Sequence, residues 1–188
     1  KKSMKKVSLF FAVMMISFAA SSQNTFTKGD KVLNVGVGFG TYGDYGTTTI
    51  PPVSLSLEYC AKDNLFNDKS SLGIGGYAGY HSSKWEYLDD AVWGYKYSNF
   101  ILGARGVLHY QLINKMDTYW GLLLGYDIAS AKFYGEDFGP FTPAASKVGG
   151  LVYSSFLGAR YYFNEKLAAN AELGYGIATF HIGISYKL

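Results

Sequence analysis

Five charged residues stand out because each interrupts a run in which large apolar and small side chains alternate: Glu58, Arg105, Asp127, Arg160 and Glu172. All five fall on the parity opposite to the large apolar residues around them. Successive side chains of a strand point to opposite faces, so chance would put all five on one chosen face only about one time in thirty-two. Three carboxylates and two guanidiniums gathered there can pair, with His109, His181 and Asn170 of the same parity beside them. That cluster suits a salt-bridged filler of a closed interior. The same groups could instead relay a proton or act as a catalytic acid pair. A second pattern is His81-Ser82-Ser83, in which His81 and Ser83 share a face at a spacing open to a hydroxyl nucleophile and its base. The sequence places no third member. Glycines 36, 38 and 40 lie in a GVGFG run, but no helix pattern follows to make it a dinucleotide loop. No metal-ligand spacing is present, no cofactor is expected, and the single cysteine, Cys60, rules out an internal disulfide.

Residues of this kind need elements that hold one parity firmly. The stretch 178–188 does so most clearly: Ala178, Phe180, Ile182, Ile184, Tyr186 and Leu188 alternate with Thr179, His181, Gly183, Ser185 and Lys187. Seven earlier segments repeat the pattern. Leu33, Val35, Val37 and Phe39 oppose Asn34, Gly36 and Gly38; Val53, Leu55, Leu57 and Tyr59 oppose Ser54, Ser56, Glu58 and Cys60. Further strands are expected through 72–81, 99–110, 120–127, 151–163 and 167–175. Loops or turns are expected at 41–52, 62–69, 82–95, 114–117, 135–147 and 164–166, where Gly, Pro and charged residues gather. Eight amphipathic strands joined in sequence predict an all-β, eight-stranded antiparallel up-and-down transmembrane β-barrel, its apolar parity toward lipid. The turn at 164–166 would set Arg160 opposite Asn170 and diagonal to Glu172.

The first residues read as an export signal. Lys1, Lys2, Lys5 and Lys6 precede an apolar run at 7–20, with small residues Ala20 and Ser22 before a cut that leaves Gln23 first. The expected organisation is a signal peptide at 1–22 and one barrel domain at 23–188. Of 17 Lys and Arg, four lie in the leader, so 13 remain against 14 acidic residues. That balance gives no reason to expect nucleic acid as a partner. No run of about 18 apolar residues follows the leader, so membrane crossing by helix is not expected.

The leader, the eight segments and the ending AELGYGIATFHIGISYKL resemble the small outer-membrane β-barrel proteins of the OmpA/OmpX type across the whole exported part. The resemblance implies a bacterial outer-membrane location and a non-enzymatic structural or adhesive role through the outer loops. The implied partners are outer-membrane lipid and lipopolysaccharide, the barrel-assembly machinery, and a protein or surface ligand bound by the loops. Tyr186 and Leu188 would carry the assembly signal, with Leu188 standing where such barrels usually end in Phe. Two alternatives remain. Outer-membrane lipid A deacylases also carry a His-x-Ser pair on a strand, which would make His81 and Ser83 catalytic, and a small pore is the third reading. Eight strands leave an interior that side chains can fill, which weighs against the pore.

Overall fold

The computed structural model describes residues 25–40, 46–86, 93–135, 146–175 and 177–188. Eight strands, β1 (Lys31–Phe39), β2 (Thr47–Asp63), β3 (Ser70–Glu86), β4 (Gly94–Ile113), β5 (Met116–Tyr134), β6 (Ser146–Tyr162), β7 (Leu167–Tyr175) and β8 (Phe180–Lys187), form a closed barrel in sequence order. Every neighbouring pair is antiparallel. The first and last strands seal it, running from Val32↔Lys187 to Phe39↔Phe180. Closure matters because hydrocarbon offers no partner to an unpaired backbone N–H or C=O. The wall has inverted polarity. Leu55, Leu102, Leu122, Leu124, Leu157 and Ile184 are exposed on the outside, while Glu58, Arg105, Asp117 and Arg160 are buried inside.

Two aromatic rings mark the apolar band. Phe39, Tyr80, Phe100, Tyr126 and Phe180 lie toward one end, and Tyr59, Tyr110, Trp120, Phe163 and Tyr186 toward the other. Phe100 and Tyr110 lie on one strand, about 33 Å apart at 3.3 Å per residue, which a tilt of about 40° converts to about 25 Å of thickness. That height matches the apolar band of membrane barrels.

The strands differ in length. β2 to β6 have 17, 17, 20, 19 and 17 residues, against 9, 9 and 8 for β1, β7 and β8. The long strands run past the first aromatic ring as an open five-stranded sheet. The expected loops at 41–52 and 82–95 are therefore shorter than their composition suggests: β2 begins at Thr47, β3 reaches Glu86 and β4 begins at Gly94. Pro51 and Pro52 lie in β2 beyond its last β1 partner, Val53, and between register shifts with β3. Proline is tolerated there because the edge needs no donor from it. At the opposite end the connections are tight, with Lys115 at φ 64 in the β4–β5 turn and Asn164 Oδ1 accepting from the Lys166 and Leu167 amides. That turn begins at Asn114 and ends at Lys115, so Asp117 belongs to β5 and not to a turn. Ala178, expected on the outward face of the last strand, precedes β8 and is buried.

Leu124, 64% exposed in mid-band, tests the outward assignment. Leu124→Arg is expected to lower the folding stability in lipid vesicles by about 2–4 kcal/mol, while Leu124→Ala changes it far less because lipid refills the space. Urea titration of the vesicle-embedded barrel measures both, and equal effects would mean that this face does not meet hydrocarbon.

Candidate functional site

The lumen is built in two tiers on strands from opposite walls. In the tier nearer the tight turns, Arg160 Nη2 of β6 donates to Glu58 Oε2 of β2 at 2.6 Å, and Nη1 reaches Asp117 Oδ2 of β5 at 3.4 Å. His109 of β4 stands between the two acids, with Nδ1 2.9 Å from Asp117 Oδ2 and Nε2 2.7 Å from Glu58 Oε1. All four side chains are buried, at 0–2% exposed. The residues before β1 close this end. Phe26 lies against the His109 ring at 4.4 Å and under the Arg160 guanidinium at 5.6 Å. Thr25 N donates to Gln111 Oε1, and Lys187 Nζ ties the Thr25 carbonyl to Asp30.

In the second tier Arg105 Nη2 donates to Glu172 Oε1 at 2.6 Å, which also accepts from the Tyr119 hydroxyl at 2.9 Å. The guanidinium stacks 4.1 Å over Phe156. Arg105 Nη1 starts a polar chain through Ser56, Asn34 and Ser185 to Asn170, stitching β4, β2, β1, β8 and β7 together. Between the tiers Val107, Tyr119, Leu123 and Phe156 form an apolar cluster. Room for these rings comes from glycine: a Cβ at Gly121 would overlap Phe156, and one at Gly158 would overlap Tyr119.

The five charges foreseen from sequence are thus not one cluster. Glu58 and Arg160 meet in one tier, Arg105 and Glu172 in the other, and Asp127 stands apart with Asn99 Nδ2 at 2.7 Å. Arg160 lies between Asn170 of β7 and Asp117 of β5 in register, and its guanidinium pairs with Asp117 and reaches across the lumen to Glu58, away from the diagonal Glu172. Asp117 and Phe26 complete the first tier, and sequence reasoning missed both. Above the second tier lies a cavity of about 340 Å³ lined by Tyr77, His81, Asn99, Asp127, Phe156 and His181 among others. His81 and Ser83 share the inward parity of β3 and are both buried, but His81 lines this cavity and Ser83 does not. A nucleophile and base serving one substrate need a common wall. Cys60 is buried and unbonded to another cysteine. Among the described residues, no group of three His, Cys, Asp or Glu is placed to hold a metal. Tyr186 and Leu188 both face outward.

Arg160→Ala is expected to lower stability by about 3 kcal/mol or more, because it strands two buried carboxylates. Phe26→Ala, which opens the first tier to water and removes a ring, is expected to cost about 3 kcal/mol. Urea midpoints of the folded barrel check both; an unchanged midpoint for Arg160→Ala would show that the lower tier does not hold the wall.

No protein-family model matches this sequence. No curated protein matches it either. Solved structures do share its shape. Ail, the attachment invasion locus protein of Yersinia pestis, in complex with the heparin analogue sucrose octasulfate, superposes with a TM-score of 0.54 at 13% identity, over 86% of this chain and 100% of that one. The outer membrane protein OprG from Pseudomonas aeruginosa gives 0.53 at 13%, over 88% and 99%. Neisserial surface protein A gives 0.50 at 12%, over 85% and 94%. With the closed eight-strand wall, the aromatic rings and the polar lumen, these likenesses establish that the chain has the fold of the small eight-stranded outer-membrane β-barrels.

Proposed function

We propose that this chain is exported by a leader at 1–22, resides in the bacterial outer membrane as a single barrel domain at 23–188, and acts without catalysis through the sheet that projects from its long-strand end. The observation that carries the reading is the division of the molecule. The lumen is packed with paired charges and rings, whereas β2 to β6 extend beyond the membrane band, where no described strand pairs with the outer edges of β2 and β6. Interior chemistry is spent on holding the wall. The projecting sheet is left to meet other molecules, and its inner face carries Trp85, Tyr95, Tyr97 and Phe133 on neighbouring positions of β3, β4 and β5. Aromatic side chains of this kind anchor protein and sugar surfaces at small conformational cost.

Long connections at the projecting end and tight ones at the other support an outward-facing sheet, the usual polarity of such barrels. Ail, whose name marks it as an attachment protein, has the same fold, which is in keeping with an adhesive role. Tyr186 and Leu188 remain the candidate recognition residues for the assembly machinery.

Three measurements test the proposal. Density fractionation should place the expressed protein with outer membranes. In planar bilayers the purified protein should show no steady conductance, because two tiers of side chains and Phe26 block the lumen. Mass spectrometry of lipid A should give the same acylation pattern with and without the protein. Single-channel steps would establish a pore, and altered acylation would establish an enzyme, either result overturning the assignment.

A further inference from the structure

The cavity above the second tier holds a carboxylate that neither the lumen packing nor the adhesive reading uses. Asp127 Oδ2 accepts from Asn99 Nδ2 at 2.7 Å, while Oδ1 is buried and without a hydrogen-bond partner among the described residues. No described lysine or arginine forms an ion pair with it. Arg105 faces Leu123 in the β4–β5 ladder, four residues or about 13 Å of strand from Asp127, and Glu172 holds its guanidinium. A carboxylate held in a wall with a neutral amide for a partner is costly until a cation joins it. Elsewhere in the same cavity His181 Nε2 is also buried without a described hydrogen-bond partner.

The chain offers no cation from this end. Histidines aside, the charged residues that face the lumen from Arg105 and Glu172 toward the projecting sheet are those two and Asp127 among the described residues, which leaves one negative charge. Lys84, Lys96, Lys132 and Lys147 have the outward parity of Tyr80, Phe100 and Ile128. The connections from β1 to β2, β3 to β4 and β5 to β6 contain Asp44, Asp89, Asp90, Glu136 and Asp137 and no Lys, Arg or His. Acidic residues at that end draw cations and repel anions. Asp127 stands within their reach, since its ladder pair with Ile101 adjoins the Phe100↔Ile128 pair at the aromatic ring.

The remaining walls select what carries the charge. Ile101, Leu123 and Val152 line the cavity together with Tyr77, Phe156 and Tyr175. A hydrated metal ion would need several oxygens, whereas ring faces attract an ammonium or guanidinium and apolar walls suit its carbon body. The volume of about 340 Å³ falls among those of small-ligand sites.

We propose that this cavity binds a small organic cation, an ammonium or guanidinium on an aromatic or aliphatic body, whose N–H groups donate to Asp127 Oδ1 while the body lies against Tyr77, Val152 and Phe156. The site goes beyond the adhesive role proposed above and does not depend on it. Asp127 stands apart from both tiers because its cation comes from outside the chain.

The test titrates the folded full chain, in micelles of an uncharged detergent, with tyramine, with tyrosol, in which a hydroxyl replaces the amine, and with hydroxyphenylacetate, in which a carboxylate does. Calorimetry should show saturable binding of tyramine to wild type, with tyrosol at least about tenfold weaker, the loss expected for one charge-assisted hydrogen bond. The carboxylate should not bind. Asp127→Asn, which keeps the shape and an acceptor for Asn99, should weaken tyramine to the level of tyrosol on wild type. Val152→Phe, which narrows the cavity and leaves the charges alone, should weaken both. Each variant should show the folded band on unheated gels, and the comparison of probes on wild type needs no substitution. Absence of saturable tyramine binding, equal affinity for tyramine and tyrosol, or unchanged affinity in folded Asp127→Asn overturns the proposal. So does displacement of tyramine by an equal concentration of sodium ion, which would make this a site for an inorganic cation. Wild type absent from outer-membrane fractions would overturn the function proposed above and leave this binding intact, so the two failures are separable.

Discussion

A backbone placed in hydrocarbon must satisfy every N–H and C=O from within the protein, and the rest of this molecule follows from that constraint. The β1–β8 seam is where it is met last. Its eight residue pairs convert an open sheet into a cylinder, and the Asn34–Ser185–Asn170 hydrogen bonds hold these two strands and β7 together from the inside. Once the ladder closes, side-chain parity is fixed around the whole circumference. A one-residue slip in any strand would exchange its leucines with its lumen charges, so lipid outside and ion pairs inside enforce one register together.

Closing eight strands creates a second problem, because the interior is too narrow for water to fill freely and too polar to be dry. Burying a charge is costly unless its partner and remaining hydrogen bonds come with it. The two tiers answer this in similar ways. Each sets a guanidinium against a carboxylate from a distant strand, Arg160 against Glu58 and Arg105 against Glu172, and lays it over an aromatic face: Arg160 on Tyr119 at 4.8 Å, Arg105 on Phe156 at 4.1 Å. Tyr119 serves both, lending its ring to Arg160 and its hydroxyl to Glu172. Cross-lumen bonds of this type resist ovalisation of the barrel, which ladder bonds alone resist weakly. Stability of the wall and blockage of the lumen are therefore one property.

Parity was legible in the sequence because hydrocarbon permits only one alternation. Val53, Leu55, Leu57 and Tyr59 against Ser54, Ser56, Glu58 and Cys60 can be read only one way. Strand ends were not legible. Beyond the aromatic ring polar residues occupy both faces, and segments such as SSKWE after His81 lose apolar contrast and read as loop, although their neighbours' ladders hold them extended. Asp117 was hidden because a two-residue turn and a four-residue one look alike after Asn114. The partners of Arg160 were hidden for a different reason. Asp117 is the ladder neighbour of Arg160 on β5 and was lost with the turn; parity says that Glu58 and Glu172 also face inward, but which of them meets Arg160 across the lumen depends on strand stagger, a property of the closed cylinder. Phe26 lies outside any alternating run, and nothing local distinguishes a cork from a linker.

The unequal strand lengths give the molecule two environments on one continuous sheet. Along β4, Leu108 to Phe100 answers to hydrocarbon, and Ser98 and Lys96, on the same parity, answer to whatever lies just outside it. The register that turns Arg105 and His109 inward therefore also turns Lys96 outward, and neighbouring strands repeat the coupling with Lys84 and Lys132. A sheet free of other demands would offset such lysines to relieve their repulsion. Here β3, β4 and β5 pair from end to end without a shift at the lysines, and sliding a whole strand by one residue would carry its lumen charges into lipid. The lysine row is held in place by bonds formed on the far side of the wall. Interior packing and lipid contact are in this way set by the same register.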